Sequence, residues 1–349
     1  MPKLNCWERS QVQNMYDYMQ TAEDVSVKIG KLYGKAFGYI SALLHEIYEK
    51  HQTKYKLTND EAIQLLSIMQ DRTSISELME KIRESSAKDE NRKAVLSQLE
   101  SVAYKSRLES LQQLQNQIDY VMANVYQQEK DFNTSHYVDL ANEAYYKGIY
   151  DMQQMTKAAF SFTYVDEKTI DRVIQSKWSG KNYSDRIWDN TKFLAQDVKE
   201  ELLINLVTGR TNNEVADIIT NKYHIAAFKA RRLIRTESNY VATEMKMKAY
   251  EDVGVEEYRY LASLELHTSE ICRNMDGKIF PVSQRKPGVN CPPLHPWCRS
   301  TTISVIGEDL LEKLHRSARD PKTGQLVNES LGMNYVQWHD KYVKGKTKV

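Results

Sequence analysis

The chain has 349 residues, with 48 lysines and arginines against 47 aspartates and glutamates, so its many charges nearly cancel and any nucleic-acid-binding surface must be local. No run approaches the ~20 apolar residues needed to span a bilayer, and the opening MPKLNCWERSQ lacks the apolar core of a signal peptide. The length fits about two domains, and the expectation is a chain made in a cytoplasm that needs no membrane to fold.

Proline divides the chain. Of the seven, five lie between 281 and 296, and none occurs from Lys3 to Phe280, so that long span is free to be helical. Val25, Ile29, Leu32, Ala36, Ile40, Leu43 and Ile47 recur by threes and fours, as on one helix face, and Tyr104, Leu108, Leu111, Leu114, Ile118, Val121 and Val125 repeat the pattern. Thr58 with Glu61, Ser74 with Glu77 and Thr211 with Glu214 have capping-box spacing, so helices should begin there.

From about 161 the composition shifts. The stretch Trp178-Ser-Gly-Lys-Asn-Tyr-Ser-Asp-Arg-Ile-Trp188 reads as a turn followed by a helix start near Ser184. Two further helices are expected, one from Glu214 to about Tyr223 and one from about Ala226 to Val253, with Gly254 as C-cap. Lys229, Arg231, Arg232 and Arg235 form a basic cluster on the second, either a solvated face or a phosphate-binding one. Glu237 and Glu244 share a stripe with apolar Leu233, Tyr240 and Met247. Buried carboxylates need partners, which an arginine would supply, and a catalytic acid/base pair is the alternative.

After Gly254, EEYRYLAS (256–263), KIFPV (278–282) and TTISVI (301–306) read as three short strands, with a tight turn at Asp276-Gly277 before the second. The fold class is therefore mainly α. A long N-terminal helical region, 1–160, precedes a small α+β domain, 161–306, whose short sheet occupies about 255–306; residues 307–349 form a C-terminal tail.

Three of the four cysteines fall between 272 and 298, which suits a metal site or inert thiols rather than a secreted disulfide framework; Cys6 stands alone. Cys272, Cys291, His295 and Cys298 together would supply three thiols and an imidazole, the donor set of a structural zinc. A structural clamp is the simpler reading of CPPLHPWCR: Pro292, Pro293 and Pro296 set an extended path, His295 bonds to backbone, Trp297 packs and Arg299 pairs with Glu265 or Asp276. A cysteine nucleophile, which needs a low thiol pKa and a nearby base, is a third reading.

The runs WSGKNYSDRIWDNTKFLAQDV, RLIRTESNYVATEMKMKAY, SLELHTSEICRNMDGKIFPV and GVNCPPLHPWCRSTT, in this order, resemble the minor head protein family of tailed bacteriophages, also called Mu F-like or head morphogenesis proteins. The similarity covers roughly 20–306. It implies a minor capsid component present in few copies inside the virion near the portal vertex, assembled in the host cytoplasm. Its implied partners are the portal protein, scaffolding or major capsid protein, and double-stranded DNA held weakly and without sequence preference. Within these segments Trp178, Arg186, Trp188, Arg235, Glu237, Asp276, Gly277, Pro293, His295, Pro296 and Arg299 are expected to be structural. The chain departs from the family pattern at Ser269 and Ser300, where many members carry cysteine, and at Glu265, usually an aspartate. The ending KYVKGKTKV, with four lysines and no acid, is expected to be disordered and drawn weakly to phosphate. No P-loop, G-x-G-x-x-G, HExxH or G-x-S-x-G motif occurs, which favours a structural role. The alternative is a delivered effector enzyme acting on nucleic acid or nucleotides, with Glu237, Glu244 and His295 as its actors.

Overall fold

The computed structural model describes residues 6–50, 102–160, 162–208, 212–263, 268–306, 315–319 and 326–330. The capping boxes at 58–61 and 74–77, Thr211, Glu265 and the lysine-rich ending lie outside them. The chain is mainly helical: α1 (Cys6–Lys50), α2 (Val102–Thr156), α3 (Glu167–Ile174), α4 (Tyr183–Thr208), α5 (Asn212–Asp252) and the short α6 (Glu270–Met275). β1 (Glu257–Leu261), β2 (Ile279–Pro281) and β3 (Thr301–Val305) form an antiparallel sheet in the order β2-β1-β3. Among the described residues no helix is long and apolar enough to cross a membrane.

Contacts divide the chain into two compact units, one of residues 1–25, 133–183 and 232–349, the other of 26–132 and 184–231. The chain passes between these units after residues 25, 132, 183 and 231, and α1, α2 and α5 each contribute to both.

Among the described residues the second unit has four helical segments whose buried residues recur at helical spacing. They are Ile29, Tyr33, Ala36, Ile40 and Leu44 on α1, Leu111, Leu114, Ile118, Met122 and Val125 on α2, Ile187, Leu194, Val198 and Leu202 on α4, and Val215, Ile219, Tyr223, Ala226 and Ala230 on α5. The α1 stripe differs in part from the expected one: Tyr33 and Leu44 are buried where Leu32 and Leu43 were the candidates. The cause is polar. The Tyr33 hydroxyl donates to Glu129 Oε2 at 2.8 Å and accepts from Asn190 Nδ2 at 3.0 Å, while the same Asn190 amide reaches the Ala226 carbonyl at 3.1 Å. One tyrosine thus joins three helices to a buried carboxylate.

Around the other unit's centre, α5 from Thr236 to Tyr250 is buried on nearly every side. Such a stretch must satisfy its polar groups internally. Lys246 donates to Gln11 Oε1 (3.3 Å), Thr301 Oγ1 (2.7 Å) and the Thr302 carbonyl (2.8 Å), which uses all three of its protons. Gln11 and Asn14 in turn donate to Asp151 at 2.7 and 2.9 Å. Ser238 meets His136 at 2.9 Å. α2 crosses close to α5 at Gly148, where an added Cβ would stand 2.9 Å from that of Ala249.

Two expectations need correction. α5 is one helix rather than two, since Lys222-Tyr-His-Ile-Ala-Ala-Phe228 contains no glycine or proline to interrupt it. Within the expected tail, β4 (His315–Arg319) and β5 (Leu326–Ser330) pair antiparallel. The three expected strands, the Asp276-Gly277 turn with Gly277 at φ +76° and the Gly254 stop at φ +77° are all present.

Burial raises the Glu129 carboxyl from its ordinary 4.5 to about 7, with the Tyr33 hydrogen bond pulling the other way. The folded chain therefore keeps a proton that the unfolded chain releases nearer pH 4.5. Its contribution is full below about pH 4.5 and is lost as pH rises through about 7, a change of roughly 3 kcal/mol. Glu129→Gln should abolish this slope, so that in urea titrations the wild type loses roughly 2 to 3 kcal/mol relative to the variant between about pH 5 and pH 8. Parallel pH profiles would refute it.

Candidate metal centre

β1 runs antiparallel to β3, pairing Leu261 with Thr301 and Tyr260 with Thr302, so the chain leaving the proline-rich loop returns beside the chain entering α6. That places Cys272 of α6 against Cys298. The two sulfurs lie 3.7 Å apart, and His295 Nε2 is 3.2 Å from Cys272 Sγ. The candidate ligand atoms of Cys272, His295 and Cys298 all lie within 4.8 Å of one another. Both thiols are buried with Tyr260, whose hydroxyl donates to Cys272 Sγ at 3.2 Å.

α5 holds this loop by its backbone. Asn239 Nδ2 donates to the carbonyls of Cys298 (3.0 Å) and Ser300 (3.1 Å), and Thr236 Oγ1 accepts from the Trp297 N–H at 3.2 Å. Trp297 is held at φ 65°, a conformation that non-glycine residues rarely adopt, with the Arg235 guanidinium 5.5 Å from its ring centroid. Arg235 also pairs with Glu23 at 2.9 Å. The Pro292–Pro293 bond is cis.

The local chemistry suits a soft cation. His295 Nδ1 lies 2.6 Å from the Pro296 carbonyl, which can only accept, so Nδ1 carries the proton and the Nε2 lone pair faces the sulfurs. The sulfur–sulfur hydrogen bond pushes Cys272 up to about 12 and draws Cys298 down to about 6 against its burial. The pair thus gives up one proton readily and holds the other tightly. Two thiolates on one tetrahedral zinc, each at about 2.3 Å, stand about 3.8 Å apart. The observed sulfur–sulfur separation of 3.7 Å matches that spacing.

The fourth expected ligand is elsewhere. Cys291 is fully buried next to Tyr258, with Lys246 and the Glu244–Arg285 pair nearby. Backbone hydrogen bonds from Cys291 N to Lys286 O (3.3 Å) and from Gly288 N to Cys291 O (3.2 Å) fix it in the preceding turn. Sequence spacing cannot show that this turn keeps Cys291 to itself. What it missed is the part played by two serines: Ser269 caps α6 through the Cys272 N–H at 3.3 Å and lies 2.8 Å from His295 Nε2, and the Ser300 hydroxyl bonds both cysteines. The S-x-x-C spacing at a helix start was the available signal.

The remaining expected residues are dispersed. Trp178 donates to Glu237 Oε2 at 3.0 Å and stacks on Tyr240 with ring centroids 5.1 Å apart. Glu244 accepts from Arg285 at 3.1 Å, and Arg285 also reaches Glu251. Asp276 accepts from the Ala262 N–H at 2.9 Å. Arg186 is half-buried on α4, and Trp188 sets its ring edge against Tyr126 with centroids 5.2 Å apart. Arg299 is exposed. Lys229, Arg231 and Arg232 are exposed too, whereas Arg235 is tied to Glu23 and Trp297.

Residues 196–303 match the family described as phage Mu protein F like protein. The Mu F-like segment, somewhat under a third of the chain, runs from within α4 through α5, the sheet, α6 and the proline-rich loop into β3. The chain is also similar to an NAD(+)–arginine ADP-ribosyltransferase, EFV, of Enterococcus faecalis (strain ATCC 700802 / V583), with 26% identity over 182 residues. That match takes in 48% of this chain and 37% of the relative's length. No solved structure matches.

Asn239→Ala would leave two buried carbonyls of the Mu F-like segment without a donor, at about 1 to 3 kcal/mol each. It should lower stability by at least about 2 kcal/mol and speed amide exchange at 297–302. Arg235→Ala, which removes a partly exposed pair, should cost about 1 kcal/mol or less. Equal effects would contradict the role given to Asn239.

Proposed function

We propose that the chain is a minor head protein of a tailed bacteriophage, assembled into the head at the portal vertex. The observation that carries this reading is the Mu F-like match, which falls on the block that holds the cysteine–histidine centre. In this reading the centre holds one structural zinc through Cys272, Cys298 and His295, which locks the proline-rich loop to α6. The exposed faces of α1, α2 and α4 serve portal contact, with scaffolding or major capsid protein as further neighbours. Exposed Lys229, Arg231 and Arg232 meet packaged DNA weakly and without sequence preference.

A second reading, a delivered effector using NAD+ chemistry, rests on the similarity to the Enterococcus faecalis enzyme. Most of that enzyme's length lies outside the match. The two carboxylates that such an activity would recruit here are already engaged, Glu237 by Trp178 and Glu244 by Arg285. Both facts favour the first reading.

Mass spectrometry of purified, cross-linked particles should find this chain at low copy number with cross-links to the portal ring. Its absence from particles, together with arginine ADP-ribosylation by the purified chain given NAD+, would reverse the order of the two readings. Purified protein should carry about one equivalent of zinc, and chelation should lower its Tm. Less than about a tenth of an equivalent with no chelator effect would remove the metal and leave the hydrogen-bonded clamp. DNA binding should weaken with a log–log salt slope of about −3 or shallower, one unit for each of the three exposed cations. A slope near −8 would show a far larger surface.

A further inference from the structure

We infer that the centre grips its metal through three protein atoms, Cys272 Sγ, Cys298 Sγ and His295 Nε2, and keeps the fourth tetrahedral place for an exchangeable ligand, water or a small anion. This rests on the metal reading above and concerns what that site can do. Structural zinc sites close all four places with protein atoms, whereas three-ligand sites leave one for an incoming group.

Among the described residues, Cys272, His295 and Cys298 are the cysteine, histidine and carboxylate groups that converge there. Cys291 is held in another turn. Among the described residues the side-chain oxygens bonded to these atoms are hydroxyls, and that of Tyr260 donates to Cys272 Sγ. Ser269 Oγ, 2.8 Å from His295 Nε2, also accepts from the Cys272 N–H as the cap of α6. A neutral hydroxyl already used as an acceptor competes poorly with water or an anion for a soft cation. Ser300 Oγ bonds both sulfurs from a fully buried position.

Burial is uneven in a way that allows exchange. The sulfurs are sealed, each cysteine being 1% exposed, while Ser269 and His295 are partly open to solvent. The serine–histidine edge is thus the side of the cluster that solvent reaches, where a small molecule could enter without displacing the thiols. The ligands it would take are water, hydroxide and small anions.

Cobalt(II) in the full-length protein tests this. Reduced, metal-free chain should bind one equivalent, with thiolate charge-transfer absorption and strong four-coordinate ligand-field bands that shift when azide is added. Ser269→Cys should close the site, raising the charge-transfer intensity by about one half as three thiolates replace two, and should make the bands insensitive to azide. Ser269→Ala should keep the wild-type stoichiometry and azide response, as should Cys291→Ser; these variants and the wild-type azide titration stand even if Ser269→Cys does not fold.

Cobalt bound in the wild type with bands unmoved by azide would overturn the open place while leaving the metal reading intact. Azide sensitivity appearing only in Glu265→Gln or Ser269→Ala would overturn it too, by naming the protein group that closes the site. No cobalt uptake at all would remove the metal reading, and this inference with it.

Discussion

A helix without a solvent face must find a partner for every polar side chain it carries, and α5 between Thr236 and Tyr250 is such a helix. Its sequence, TESNYVATEMKMKAY, would be unremarkable on a surface. Buried, it dictates what surrounds it: Thr236 and Asn239 take the backbone of the proline-rich loop, Ser238 takes His136, Glu244 takes Arg285, and Lys246 takes Gln11 and the start of β3. Leaving any one of these unmet costs about 1 to 3 kcal/mol, more for a charged group. A domain stable by only about 5 to 15 kcal/mol cannot absorb several such losses. The unit therefore assembles around the polar face of its central helix as much as around its apolar one.

The same logic explains why the cysteine–histidine cluster sits where it does. Asn239 fixes the carbonyls on either side of Arg299, and β1 pairing fixes the chain that follows. The thiol of Cys298 is delivered to Cys272 by backbone hydrogen bonds that do not depend on a metal. A cation added there would tighten an arrangement already within about 0.1 Å of the sulfur spacing it requires. The two sulfurs are thus held close by the fold itself, and a cation that used them would not have to order the loop first.

Much of this was legible in the residues. The three strands follow from β-branched and aromatic runs between turns, and Gly277 and Gly254 end their elements through the positive φ that glycine tolerates. The failures have physical causes. Ile29, Ala36 and Ile40 keep the core places assigned to them, but Tyr33 and Leu44 replace Leu32 and Leu43, and Tyr33 can do so because its hydroxyl reaches a buried glutamate. α6, at 6 residues, is too short for periodicity to register. The strands HRSAR and LVNES carry little apolar alternation. Cys291 was grouped with the cluster because counting donors along the chain cannot separate two turns of one loop; the serines were passed over because the same counting gives a hydroxyl no weight.

The boundary of the family match carries a structural consequence. Residues 196–303 supply α5, the sheet and the loop, yet several groups that satisfy α5 come from far earlier in the chain: Gln11 and Glu23 on α1, His136 on α2. Met155 likewise receives the Ser304 hydroxyl just past the matched segment. Cut out alone, the segment would expose Lys246, Ser238 and the packing surface of Ala249 to water, and the helix that holds the loop would lose the cover that makes its polar contacts strong. The part of the matched segment from Arg232 onward therefore relies on helical residues that lie outside the match. The position of the cysteine–histidine cluster thus depends, through α5, on helices outside residues 196–303.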